Sequence, residues 1–112
     1  MTLLELSCAL GLEKVCGERN PEISGVYVGD FLSRAMSKVE SGNVWVTIMA
    51  NTNVVAVASL TDCACILLAE GVALSQDALD AAIENDITVL SSNDSAYELC
   101  LKLGKQLGAS VE

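Results

Sequence analysis

Histidine is missing from this chain, and several other residue types are scarce. Without an imidazole there is no Cys–His or Ser–His pair to activate a nucleophile, and no histidine to serve as general base. The five cysteines, Cys8, Cys16, Cys63, Cys65 and Cys100, contain no C-x-x-C pair, so the common ligand spacing of a zinc site is missing too. Neither a P-loop nor a G-x-S-x-G elbow occurs. Six lysines and arginines face fifteen aspartates and glutamates, for a net charge of −9. Binding to nucleic acid or to an anionic membrane begins with a basic face, so the composition argues against both partners. Apolar runs such as Val54 to Leu60 fall far short of the roughly 20 residues that span a bilayer. Met1-Thr2-Leu3-Leu4-Glu5 has no basic start of the kind that opens a signal peptide, which predicts a cytoplasmic protein. Proline occurs once, at Pro21, and the aromatics are Tyr27, Phe31, Trp45 and Tyr97.

What remains is apolar and aliphatic. The hydrophobic share of 52% is ample for the core of one domain over residues 1–112, built from Val, Leu, Ile, Ala and Cys. The acidic excess then reads as a solvated surface that keeps the chain soluble. Thr2-x-x-Glu5 has the form of a capping box and predicts a helix to Leu10, with Leu3, Leu6 and Leu10 on one side and Gly11 as its C-cap. A short strand over Leu12–Cys16 and a turn over Gly17–Pro21 follow. Ser24–Val28 reads as a strand. Asp30 is then the expected N-cap of a helix whose apolar face is Phe31, Leu32, Ala35, Met36 and Val39.

Val44–Met49 is a strongly apolar, β-branched strand. Val54–Leu60 reads either as a second strand, paired across Asn51-Thr52-Asn53, or as a helix capped by Asn51 or Thr52. Ala64–Ala69 is a buried strand. Ser75 caps a helix with Ala78, Leu79, Ala82 and Ile83 as its apolar face, and Ile87–Leu90 is the last strand. Ser95-x-x-Glu98 is a second capping box, opening a helix that carries Tyr97, Cys100, Leu101 and Leu107. Residues 2–107 form the expected ordered core, with 108–112 as a fraying tail. Strands alternating with helices at this spacing predict an α/β fold. Its sheet should be mostly parallel, with about four to five strands and helices packed on both faces.

Several segments in order carry a resemblance. They are Gly25–Met36, Gly42–Ile48, Asn53–Ser59, Ile66–Gly71, Ile87–Ser92 and Ser95–Leu99. Together they resemble the DRTGG domain family in its short stand-alone form. The resemblance implies a fold similar to the N-terminal domain of HPr kinase/phosphorylase, and a helix after Asn53. The family's domains also occur beside CBS-domain pairs and in some phosphotransacetylases, as regulatory accessories without assigned chemistry. Stand-alone relatives tend to be encoded near iron-only hydrogenase subunits and small histidine-kinase-like ATPases of anaerobes. A regulatory or assembly role in redox metabolism is thereby implied. The chain departs from the family's signature. Asn51-Thr52-Asn53 stands where the family has its Asp-Arg, and Ala69-Glu70-Gly71 stands where it has Thr-Gly-Gly. If that arginine holds an anion in other members, the feature is lost here.

In a parallel sheet, ligands sit beyond the carboxyl ends of the strands, at helix N-termini. Four turns qualify: Gly29 and Asp30; Asn51, Thr52 and Asn53; Glu70 and Gly71; and Ser91, Ser92 and Asn93. Asp, Asn, Ser and Thr at these places are also what helix N-caps need. If the turns converge, they form a polar crevice of hydroxyls, amides and free backbone N–H groups. Asp30 and Glu70 oppose an anion there, so a neutral or weakly basic ligand fits better. The same two carboxylates are the nearest thing to an acid–base pair, though nothing in their spacing demands that role. Cys63 and Cys65 share one face if both lie on a strand, where buried reduced thiols act as small apolar residues. Trp45 reads as core, or, if it faces outward, as an interface anchor.

No catalytic residue, metal ligand or cofactor is expected. The function that fits is a non-catalytic regulatory or binding module acting through protein–protein contact, as a homodimer or within a redox or signalling complex. The alternative is a small-molecule sensor that uses the strand-end crevice.

Overall fold

A computed structural model describes residues 1–108 of the chain; the outer part of the expected tail, residues 109–112, lies outside the described residues. The capping box of Thr2 and Glu5 is formed. Glu5 N–H donates to Thr2 Oγ1 at 3.3 Å, and Thr2 N–H donates to Glu5 Oε1 at 2.8 Å. It opens α1 (Leu3–Leu10), which Gly11 closes at φ 63°. The remaining elements are β1 (Glu13–Cys16), β2 (Gly25–Val28), α2 (Leu32–Lys38), β3 (Asn43–Thr47), α3 (Thr52–Thr61), β4 (Cys65–Leu68), α4 (Gln76–Glu84), β5 (Val89–Ser91) and α5 (Ala96–Gln106).

The five strands form one sheet in the order β1-β5-β4-β3-β2. β2 to β5 run parallel, and β1 is an antiparallel edge strand on β5. Because β2, β3, β4 and β5 follow one another in space as in sequence, right-handed crossovers bring α2, α3 and α4 to the same side. Trp45, Ile66, Leu68 and Val89 point to that side, against Ala35, Val54, Val57, Ala58, Ala78 and Ala82. The alternate residues Val44, Val46, Cys65, Leu67 and Leu90 point the other way, against Leu3 and Leu6 of α1 and Leu99 and Leu103 of α5. β3 and β4 are buried along their whole length because both of their faces are covered.

Residues 52–61 are helical. The valines have strand propensity, but Asn51 Oδ1 accepts from the N–H groups of Asn53 and Val54 at 3.1 and 3.3 Å, and starts a helix instead. Val54, Val55, Val57 and Ala58 are buried by it, so tertiary burial outweighs β propensity.

Other expectations are corrected. Asp30 is not the N-cap of α2; Phe31 holds that position without a side-chain cap. Phe31 and Met36 are exposed, and α2 buries Ala35 and, just past its end, Val39. Ile83, Tyr97 and Leu101 are exposed as well, while α5 buries Leu99 and Leu103. Cys63 and Cys65 are both buried but on opposite sides of the sheet. Cys63 precedes β4, following the left-handed Asp62 at φ 57°, so the two-residue period of a strand does not include it. Ser91 belongs to β5 and not to the turn after it.

One buried oxygen stands alone among the described residues: Thr88 Oγ1 has no hydrogen-bond partner. Gly17, at φ 102°, lies so close that an added Cβ would be 2.4 Å from Thr88 Cα. Thr88→Val keeps the shape and removes the orphan hydroxyl. It is expected to leave stability unchanged or raise it by up to about 1 kcal/mol in urea unfolding. Gly17→Ala should lose more than about 1 kcal/mol in the same measurement. A large loss in Thr88→Val would show that the hydroxyl is engaged.

Candidate functional site

The four turns named from the sequence lie in a row at one end of the sheet, where β2 to β5 terminate. The side chains of Asp30 and Asn51 and the amides of Glu70 and Gly71 are engaged within the protein, while Thr52, Asn53 and Glu70 are exposed. At the end of β2, Asp30 Oδ1 accepts from Thr47 Oγ1 at 2.7 Å and from the Ile48 N–H at 2.9 Å. Thr47 is buried, and its Oγ1 also accepts from the Met49 N–H at 3.1 Å. Gly29 joins the same strap: its N–H donates to the Val46 carbonyl, and its carbonyl accepts from the Trp45 indole N–H, each at 3.1 Å. Trp45 is therefore core, fully buried with its one polar atom satisfied. The residues from Gly29 to Asp30 act as a clamp from β2 onto the end of β3.

At the end of β3, Asn51 is engaged as the cap of α3, and Thr52 and Asn53 stand exposed in its first turn. The Ala50 carbonyl accepts from the N–H of Ser75, which caps α4. At the end of β4, Glu70 and Gly71 both adopt left-handed backbone, at φ 59° and 69°. Their N–H groups donate to the carbonyls of Asp94 at 2.8 Å and Ser92 at 2.9 Å. Asn93 packs so tightly on Gly71 that an added Cβ would lie 2.9 Å from its Oδ1. The β4 and β5 turns are thus stitched together at the place where the chain leaves the α4 side of the sheet for the α5 side. Asp30 reaches from the end of β2 onto β3, whereas Glu70 is exposed at the end of β4.

Ser91, Ser92 and Asn93 do border a concavity. With Leu10, Gly11, Glu13, Asp94 and Lys102 they line a pocket of about 310 Å³ between the β5–α5 turn and the end of α1. Lys102 is held by the Asp94 carboxylate, whose hydrogen bond raises the lysine pKa. The pocket's cation is therefore already neutralised. Asp30, Asn51, Thr52, Asn53, Glu70 and Gly71 do not line it.

Sequence reasoning missed a larger cavity of about 690 Å³. It lies between α5 and the β2 edge, against Ile23, Val26, Val28, Cys100, Leu103 and Leu107. α1 and α5 are two helices over a face opposite to one covered by three, and the uncovered part adjoins β2. No local pattern in the sequence marks it, because the number of helices on each side follows only from the strand order.

Four of the five thiols are set against reactivity. Burial pushes Cys63 up to about 11 and raises Cys65 well above the ordinary thiol range. Burial also raises Cys16 and Cys100. A protonated thiol is a poor nucleophile and a poor metal ligand. Among the described residues, no three His, Cys, Asp or Glu side chains gather in a group able to hold a metal ion. No described helix is long and apolar enough to cross a membrane.

No family model matches the chain, and no curated protein matches it. Among solved structures, it is similar to the CBS and DRTGG domains of the regulatory region of Clostridium perfringens pyrophosphatase, crystallised with the activator diadenosine tetraphosphate. The identity is 14% and the TM-score 0.69, with 91% of this chain and 45% of that one covered. This chain thus spans less than half of that structure's length. At such identity the likeness is one of fold, and it supports a DRTGG-like α/β domain.

Two outcomes follow from this geometry. Asp30→Ala removes the clamp on Thr47 and Ile48 and should cost about 1 to 2 kcal/mol in urea unfolding. Asp30→Asn keeps an acceptor oxygen and should cost less; equal losses would mean that the carboxylate charge matters more than the hydrogen bonds. In thiol labelling of the native protein, exposed Cys8 should react first. Cys63 and Cys65 should react only after denaturant is added, and fast native labelling of either would contradict their burial.

Proposed function

We propose that this chain is a non-catalytic regulatory module that works by binding, chiefly through protein–protein association and including self-association. The observation that carries the reading is that the Asp30 and Asn51 side chains and the Glu70 and Gly71 amides at the strand ends are already engaged within the protein. Asp30 serves Thr47 and Ile48, Asn51 serves α3, and the Glu70 and Gly71 amides serve the Asp94 and Ser92 carbonyls. Groups held in this way give a rigid frame and offer no poised acid, base or nucleophile. The likeness to a regulatory region supports the same reading. A place in a redox or signalling complex in the cytoplasm is consistent with the sequence resemblance described above.

Small-molecule sensing is the second reading, favoured by the 310 Å³ pocket beside Ser91, Ser92 and Asn93. The similar regulatory region takes a dinucleoside polyphosphate as its activator. In this chain the pocket's lysine is paired with Asp94, and Glu13 is near, so a neutral polar ligand suits it better than a polyphosphate.

A thermal-shift screen over nucleosides, nucleotides and central metabolites separates the readings. A sensor at a hundredfold excess of ligand over its dissociation constant gains about 2.7 kcal/mol, a rise in Tm of many degrees for a domain of this size. A flat screen at millimolar ligand would remove the sensor reading for those compounds. A native co-purification without any partner, together with a monomeric light-scattering profile, would remove the association reading.

A further inference from the structure

We infer that the α2–α3–α4 layer is the contact between two copies of this chain, related by a two-fold axis running parallel to the three helices. The inference rests on the self-association reading above and assigns it a surface.

The three helices lie side by side, with α3 in contact with both neighbours. Each leaves one large hydrophobic side chain in solvent: Met36 on α2 is 50% exposed, Leu60 on α3 is 69% and Ile83 on α4 is 60%. α3 carries no charged residue from Thr52 to Thr61, and its outward positions are Thr52, Asn53, Ala56, Ser59 and Leu60. On a chain of net charge −9, this uncharged outer face separates the charges of the two flanking helices. The flanking helices are of opposite sign. α2 bears Arg34 and Lys38 and no acid, whereas α4 bears Asp77, Asp80 and Glu84 and no base. Among the described residues, neither Arg34 nor Lys38 forms a salt bridge, although four other cationic groups do.

This charge order selects one arrangement. Two such layers can stack about a two-fold axis lying in the plane between them. An axis across the helices sets α2 on α2 and α4 on α4, like charge on like. An axis along the helices sets α2 on the second copy's α4, twice over, and α3 on α3. Only the second arrangement is complementary. It also preserves height along the helices. All three begin at the carboxyl ends of parallel strands; counted from each helix start, Arg34 falls within about one turn of Asp77 and Asp80, and Lys38 within about one turn of Asp80 and Glu84. Three helices of this length at a spacing of about 10 Å make a face at the small end of protein interfaces. The dimer should therefore be reversible, dependent on concentration and sensitive to salt.

The test is sedimentation of the full chain over a concentration series. At low salt, the wild type should be dimeric at the top of the series. Raising salt to about 1 M, where the screening length is about 3 Å, should weaken it. Leu60→Glu should weaken it at least tenfold with unchanged circular dichroism. The double variant Arg34→Glu with Lys38→Glu, and the triple variant Asp77→Lys with Asp80→Lys and Glu84→Lys, should each be monomeric alone. Mixed together, they should form a heterodimer, because every α2–α4 contact is then again between opposite signs. A wild type monomeric throughout would overturn both the inference and the self-association reading. A dimer that survives Leu60→Glu and both reversals would overturn this interface alone and leave self-association to another surface, such as the cavity beside β2. Reversed variants that pair with themselves, or that fail to pair when mixed, would overturn the axis.

Discussion

Everything in this domain is arranged around a strand with no polar side. Cys65, Ile66, Leu67 and Leu68 are buried on both faces of β4, so each face needs its own helical layer. A strand of this kind cannot sit at an edge or face water, which fixes β4 between β3 and β5. The crossover rule then assigns the helices. The three that connect neighbouring parallel strands go to one side, and α1 and α5, which connect nothing parallel, cover the other. The same arrangement shapes the surface. The side with three helices is full, and the side with two leaves the cavity along β2.

Much of this order was legible in the residues. Thr2 with Glu5, and Ser95 with Glu98, are local signals that need no tertiary context, and both capping boxes form. The parallel class and the two-sided helices follow from strand–helix alternation alone. Local reasoning failed where long-range contacts decide. On local propensity Val54–Leu60 stays open between strand and helix; it is helical, as the resemblance implies, because a helix there buries its valines against the sheet. Asp30 looked like a helix cap, but a carboxylate beside the end of a neighbouring strand finds a buried hydroxyl and a backbone N–H there. Phe31, Met36, Ile83, Tyr97 and Leu101 sit at helical spacing beside buried residues, and spacing does not say which edge of an apolar stripe meets the core.

The candidate site was legible in position more than in state. The turns do lie together at one end of the sheet, as a parallel topology requires. Whether their polar groups face a ligand or one another depends on pairings such as Glu70 with Asp94 and Gly71 with Ser92, which no one-dimensional pattern encodes. The topology also matters here. β4 leads to α4 on one side of the sheet and β5 to α5 on the other, so their loops part there, and the Glu70 and Gly71 amides bridge the parting by bonding the Asp94 and Ser92 carbonyls.

β1 completes the sheet from the opposite end of the chain, with Glu13 against Ser91 and Cys16 against Val89. α1, beside it, buries Leu3 and Leu6 against a layer finished by Leu99 and Leu103. During synthesis these early residues emerge long before their partners exist. β2 through β5 can assemble as each crossover leaves the ribosome, while the first strand and helix wait with their apolar side chains in solvent. The contact of Glu13 with Ser91 closes one of the longest loops in the fold, so the edge of the sheet depends on two distant parts of the domain meeting.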